Sequence, residues 1–445
     1  MRTLGSLGLF ALLIAGCGDD GGATPDTQTG NHPPPRVIPG GGIGDGPIDG
    51  VVNLYVIDDA SRSPISGATV RVGDLDGTTD ATGLFVAEGV VGPQTVVVKA
   101  SGMRSELWLG ANGANMTLAL KPSADPMPTK ANLSGSITGF ANLTVPAGHN
   151  KTAIISYSND DKATDAANNI ATFGNQNICS TNVPTGGCTF TVTTRTGNVA
   201  LLAAIYDHDT NNTPLNGNDD TFTWIGWATA TGLNVSNGVD QTGVAMTMVA
   251  VGDLGNVTVA FGTPPSNLPN VAGIVGVELG ASGTLQLLPQ ILSPTNTTVM
   301  APKLSAFAGS TYRFTALANN GQAATSAGSF KLIRGQTATS LDAGTWLSTP
   351  SSLTLTRTGG SWTAVSGALI QGVEYDLLDK THVLSVTAID ASTSFTIPDL
   401  VALPTSGSLI ARGTALMGTI DLQNFSLDEA LPKVTGFSAQ PLQLD

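Results

Sequence analysis

Residues 67–103 read GATVRVGDLDGTTDATGLFVAEGVVGPQTVVVKASGM, and their period decides the fold. Val70 and Val72 alternate with Thr69 and Arg71, while Val96, Val98 and Ala100 alternate with Thr95, Val97 and Lys99. A repeat of two puts every second side chain on one face of an extended strand, so the pattern predicts a half-buried antiparallel sheet and not helices. Asp80-Ala81-Thr82-Gly83 carries Asp and Gly at the first and fourth places of a type I turn. Upstream and downstream, VVNLYVID (51–58) and NMTLALK (115–121) have the same strand character, which makes 51–122 an expected β-sandwich.

In order and spacing, Gly67 to Val72, Thr78 to Phe85 and Gln94 to Met103 resemble the carboxypeptidase regulatory-like family. The resemblance implies a transthyretin-like, seven-stranded sandwich grouped with carbohydrate-binding-like folds. Such domains serve as accessory modules on secreted and cell-surface proteins. The chain departs from the family pattern at Met103, where an aromatic is usual. No protease activity is implied, because the zinc chemistry of those enzymes belongs to a separate domain.

Past SADPMPTK (123–130), the segments LSGSITGF, TAIISYS, CTFTVTT, VALLAAIYD, TFTWIGWAT and GVAMTMVAV predict a second sandwich over 131–251. Only DDKATDAANNIATF (160–173) has helical character. From 252 to 445, strand-like runs from NVTVAFG to GTALMGTIDL predict one large or two small sandwiches. The expected fold class is therefore all-β, as tandem antiparallel β-sandwich domains. Gly at 54 and Pro at 25 of 445 residues supply the turns such a chain needs.

The first residues, MRTLGSLGLFALLIAGC, join one cation at Arg2 to an apolar run too short to cross a membrane, and Gly18, Asp19 and Asp20 follow directly. Residues 1–16 read as an export signal. Ile14-Ala15-Gly16-Cys17 resembles the bacterial lipobox, which implies a diacylglyceryl group on Cys17 and attachment to the membrane through that lipid. Gly18 stands where inner-membrane retention favours Asp, so the cell envelope at the outer membrane is expected, on its periplasmic face or at the cell surface. Residues 17–50, dense in Gly, Pro and Asp, read as a disordered tether spanning roughly 30 Å. Cys179 and Cys188, nine apart around a Pro-Gly-Gly turn, are expected to form a local disulfide in that oxidising compartment; free thiols or a two-ligand metal site are the alternatives.

A formal net charge of −14 argues against nucleic acid as a partner. The histidines His32, His149, His208 and His382 are scattered, and H-E-x-x-H, CxxC and G-x-S-x-G are absent, so no enzyme is expected and no cofactor is required. Asp207, Asp209 and Asn211 alternate and are followed by Asp219; these oxygens suit a structural Ca²⁺, although Asn212 and Asn218 stand where an EF-hand needs Gly and Glu. A solvated turn is the plainer account of the same loop. Alternation along one strand places Phe222 and Trp224 on one face and Ile225 and Trp227 on the other. Trp224 and Trp227 are the candidate rings for sugar recognition, with Trp108, Trp346 and Trp362 assigned to packing. These features describe a non-catalytic surface binding module for carbohydrate or an envelope partner protein, with a structural spacer or adhesive stalk, or an unrecognised hydrolase, as alternatives.

Overall fold

Seven strands fill the first region: β1 (Asp49–Asp58), β2 (Thr69–Val72), β3 (Leu75–Thr78), β4 (Leu84–Val91), β5 (Gln94–Lys99), β6 (Ser105–Ala111) and β7 (Asn115–Leu120). They appear in a computed structural model that describes residues 34–44, 46–124, 129–159, 178–183, 185–211, 213, 219–287, 290–321, 327–423 and 433–444. A small sheet, β4-β1-β7, lies over β3-β2-β5-β6, and Leu54, Val70, Val98, Trp108 and Leu118 fill the space between. The turn read at Asp80 is present: Gly83 N donates to Asp80 O at 3.0 Å, and Asp80 Oδ1 accepts the amides of Thr82 and Leu84.

The second region holds β8 (Lys130–Thr138), β9 (Asn150–Tyr157), β10 (Ile178–Thr181), β11 (Thr189–Arg195), β12 (Gly197–Asp209), β13 (Thr221–Val235) and β14 (Gln241–Met248), hydrogen-bonded in the order β10-β9-β12-β13-β14-β8-β11. Cys179 on β10 and Cys188 beside β11 form a disulfide, with Cα atoms 5.7 Å apart. The bond therefore ties the two end strands of one curled sheet and guards edges that would otherwise be open to further pairing. Chain entropy for so short a ring predicts that replacing both cysteines by serine costs about 2–3 kcal/mol in a urea titration. A loss close to zero would show that the sheet closes without the bond.

The third region contributes β15 (Leu254–Ala260), β16 (Asn270–Glu278), β17 (Thr284–Gln286), β18 (Thr298–Pro302), β19 (Thr311–Asn319), β20 (Gly328–Gln336), β21 (Ser340–Asp342), β22 (Ser351–Thr356), β23 (Gly359–Thr363), β24 (Ile370–Leu377), β25 (His382–Ala388), β26 (Ser394–Thr396), β27 (Leu409–Gly418) and β28 (Val434–Leu444). Eight of these strands join four from the first region in one twelve-stranded sheet, ordered β17-β16-β19-β20-β28-β27-β24-β25-β6-β5-β2-β3. The join is a parallel pairing of β6 with β25, from Ser105 opposite Leu384 to Leu109 opposite Ala388. Small sheets β18-β15-β21 and β22-β23-β26 complete further sandwich layers. The fold is all-β, as the periodicity predicts.

Two readings change. Val97 is not on a solvated face: Val96 and Val98 pack into the first core, and Val97 with Leu107 and Leu109 packs against Leu355, Tyr375 and Phe395 of the third region. The second concerns the tether, because residues 34–44 and 46–50 belong to the fold. Ile38 and Ile48 are buried, Gly42 exchanges both backbone hydrogen bonds with Thr117 at 2.8 Å, and the amides of Ile43 and Gly44 donate to the carbonyls of Leu422 and Gln423. Glycine here serves close approach. A Cβ on Gly44 would stand 1.7 Å from the Asn115 oxygen, and one on Gly113 1.4 Å from that of Ile43. Residues 17–33, with Cys17, lie outside the described residues.

Candidate functional site

The tryptophans share a face, contrary to the alternation. Ile205 pairs with Gly226 but Tyr206 with Trp224, so Ile225 is the extra residue of a bulge and the side-chain order flips across it. Trp227 is 0% exposed, in a core with Val257, Val275 and Phe314, and donates its indole N–H to Met300 O at 3.2 Å. It presents no ring to a ligand. Trp224 is half-buried with its ring centroid 5.8 Å from that of Trp227. The exposed ring of this strand is Phe222, at 49%, stacked 4.2 Å from the imidazole of His208.

Around that stack, the acidic loop is organised by histidines. His149 Nδ1 lies 2.8 Å from Asp207 and its Nε2 3.5 Å from Asp209, and His208 Nε2 lies 2.7 Å from Asp220. Asp219 accepts from the Thr213 hydroxyl at 2.8 Å, and the Asn211 amide nitrogen donates to the Asp219 carbonyl. Among the described residues, no group of three or more His, Cys, Asp or Glu side chains is placed to hold a metal ion.

The site that sequence reading misses lies where β6 meets β25. Beyond this join the long sheet runs out from under β7, leaving a slot of about 180 Å³ between that strand and the sheet face. Its polar end holds Arg104, Glu106, Lys121 and Glu374, and its apolar end Ile370, Leu416 and Phe437, with an edge of Trp108 between. Arg104 Nε and Nη2 each lie 3.2 Å from Glu106 Oε1, but its Nη1 only approaches Glu374 Oε1 to 4.0 Å. Lys121 turns aside to the buried Asp59 at 3.4 Å. Burial pushes the Glu106 carboxyl up, against the opposing pull of Arg104 and the Ser385 hydroxyl.

Beside the slot, Asp376 accepts from His382 Nδ1 at 2.7 Å and pairs with Arg412. Burial works to raise this carboxyl, but the His382 hydrogen bond and the Arg412 charge outweigh it and hold it below the usual carboxylate range. The folded state thus binds fewer protons here than the unfolded chain, whose aspartates titrate near about 3.9. The stabilisation is complete above that value and is lost as pH falls through the lower folded one. Asp376→Asn should cost about 2 kcal/mol at neutral pH, and the gap to the parent should narrow in acid; a gap constant from pH 7 to pH 3 would refute the assignment.

No family model matches the chain, and no curated protein matches it. Among solved structures, the Bacillus anthracis TIE protein aligns at 12% identity over 60% of this chain and 45% of its own, with a TM-score of 0.14. The aligned part of the chain thus spans less than half of that protein. The Bacillus cereus major pilin subunit BcpA aligns at 8% identity over 66% of this chain and 98% of its own, TM-score 0.15. The Lactobacillus rhamnosus GG shaft pilin SpaA aligns at 10% over 45% and 98%, TM-score 0.12. At such scores these likenesses carry no argument, and the fold class rests on the strands themselves. Among the described residues no helix is long and apolar enough to cross a membrane.

Proposed function

We propose that the chain is an exported protein, held at the outer membrane by acyl groups on Cys17, whose β body is a non-catalytic binding module of the cell envelope. The observation that carries the binding reading is the slot at the β6–β25 join, where charged and apolar side chains converge on one concavity. Glu106 pairs with the Arg104 guanidinium at 3.2 Å, and Glu374, 4.0 Å from the same group, stays 41% exposed. Burial of Trp227 weakens the glycan form of the reading and favours a partner protein or a small ligand. Seven strands in two layers over 49–120 support assigning 51–122 to the carboxypeptidase regulatory-like family, with 131–251 and 252–445 as the further domains. Calcium closing the 207–219 loop belongs to the same account; it would turn Asp207 and Asp209 away from His149, and equal melting temperatures in calcium and in chelator would remove it.

The test is co-sedimentation of the unlipidated mature chain with purified envelope and with extracellular polysaccharides. Saturable binding to envelope, lost after protease treatment of the envelope, is the expected result. Binding to polysaccharide alone would return the ligand to the glycan class, and no binding to either would leave the spacer reading, which the unbroken twelve-stranded sheet favours.

A further inference from the structure

We propose that residues 34–44 form a strap that opens ahead of the body when the chain is pulled from its N-terminal side, and that its opening uncovers the apolar end of the slot at the β6–β25 join. The strap lies on β7, but not as a full strand. Asn53 N and Asp59 N donate to the carbonyls of Ala114 and Leu120, so the even-numbered residues of β7 bond toward β1 and the odd-numbered ones face the other way. Thr117 uses that outer side, exchanging two bonds of 2.8 Å with Gly42. On either side of this one pair the strap is held differently. The amides of Arg36 and Ile38 donate to the side chains of Asn115 at 3.1 Å and Thr117 at 3.0 Å, and those of Ile43 and Gly44 donate across to the carbonyls of Leu422 and Gln423. The strap thus bridges β7 of the first region and the segment after β27 in the third.

Little holds it beyond those bonds. Pro34 to Val37 are exposed, and Ile38, at 1%, is its one fully buried large side chain. Gly41, Gly42 and Gly44 sit at positive φ, and glycine loses more backbone freedom on seating than any other residue, so ordering this stretch is costly for the small area it buries. In contrast, β1, which follows, is bonded on both edges, to β4 and to β7. A pull arriving at Pro34 therefore loads the strap first, peeling it from Asn115, then Thr117, then Leu422 and Gln423. Thr117, Leu416 and Phe437 line the apolar end of the slot, and Leu422 packs in one small cluster with Leu416, so release frees that end. An acylated Cys17 would deliver the pull. Control of access rests on the slot being the binding site proposed above; the opening itself does not.

Two readouts on the unlipidated mature chain test the opening. In hydrogen exchange followed residue by residue, the amides of Ile38, Gly42 and Thr117 should exchange together, at least about tenfold faster than those of Asn53 and Val56 in the adjoining sheet. Thr117 is the informative one, because it belongs to β7 yet donates to the strap. In an optical trap with handles at the Cys17 thiol and the C-terminus, one reversible lengthening of no more than about 50 Å, the extended length of residues 34–48, should precede unfolding of the body. Gly44→Ala, whose methyl would meet the Asn115 carbonyl oxygen at 1.7 Å, and Ile38→Ser should each unseat the strap. Both variants should lose the early step and the protection of Thr117, keep the parent far-UV spectrum, and bind purified envelope at least about tenfold more tightly, since the closed state no longer competes. Exchange of Thr117 in step with Asn53, or a body that unfolds in the trap with no earlier step, would overturn the strap. Opening in both readouts with envelope affinity unchanged in the variants would overturn its control of the slot. Envelope that binds neither parent nor variants would remove the binding reading and that control together, while the opening stands on exchange and the trap.

Discussion

Trp227→Ala is expected to destabilise the protein by about 3–5 kcal/mol, the range for removing a large aromatic from a closed core. The side chain is fully buried and packs with Val257, Val275, Tyr312 and Phe314, so its space cannot refill from solvent-facing groups. Its N–H also bonds Met300 O on β18, which belongs to a different sheet from β13. Truncation therefore opens a cavity and orphans a carbonyl at a contact between two layers. Trp227→Phe keeps most of the volume and loses the hydrogen bond, so about 1–2 kcal/mol is expected. Trp224→Ala, at a half-buried ring, should fall between them. Urea titrations of the three variants give the order, and a cost for Trp227→Ala below that for Trp224→Ala would contradict the bulge at Ile225.

That bulge shows where periodic reading stops. Strict alternation from Phe222 sets Trp224 and Trp227 on opposite faces, and one inserted residue brings them together; the one mark of it in the residue types is Gly226, a lone glycine inside the strand pattern. Elsewhere the period is informative in proportion to how asymmetric the two faces are. Residues 69–72 are legible because only one face is buried, whereas SELWLGA (105–111) is buried on both and shows no alternation to detect. The continuous apolar run on β12 has the same cause, with Leu201, Ala203 and Ile205 in one core and Leu202, Ala204 and Tyr206 in another. The glycines of 40–44 mislead in a different way. Composition reads them as disorder, while in the fold Gly44 lies against the Asn115 carbonyl, and Gly113 against that of Ile43, where a Cβ would collide.

The disulfide was readable because its two cysteines are local and the compartment was inferred independently. The slot was not readable, for a topological reason. Its walls come from 104–121 and 370–437, and only the parallel register of β6 on β25 brings Arg104 to Glu374. Such a pairing leaves no spacing motif in the chain. The one sequence trace is Arg104-Ser105-Glu106, a charged pair heading an otherwise apolar strand, where a buried ion pair must have a structural or ligand-directed use.

Arg195 carries the second large expected effect. It is buried at the end of β11, and its guanidinium donates to the carbonyls of Ser158 at 2.8 Å, Thr196 at 2.9 Å, Asn198 at 2.7 Å and Ser282 at 3.3 Å. Three of these acceptors lie in the second region and Ser282 lies in the third, just before β17, so one planar fork joins the two. Arg195→Met retains the stem and removes the donors, leaving several buried carbonyls unsatisfied, at an expected cost of about 3–5 kcal/mol. Arg195→Lys keeps the charge but offers one compact donor group in place of a fork, and should recover less than half of that loss. The readout that separates coupling from simple destabilisation is the shape of the urea transition, followed by tryptophan fluorescence and far-UV circular dichroism on the full mature chain. With only the Ser158 hydroxyl left on the Ser282 carbonyl, the second region should unfold ahead of the third and the two probes should cease to coincide. A single coincident transition in Arg195→Met, shifted by less than about 1 kcal/mol, would show that the shared core around Trp227, with the Asn159–Thr284 backbone pair and the Ser158–Ser282 bond, couples the regions without the guanidinium.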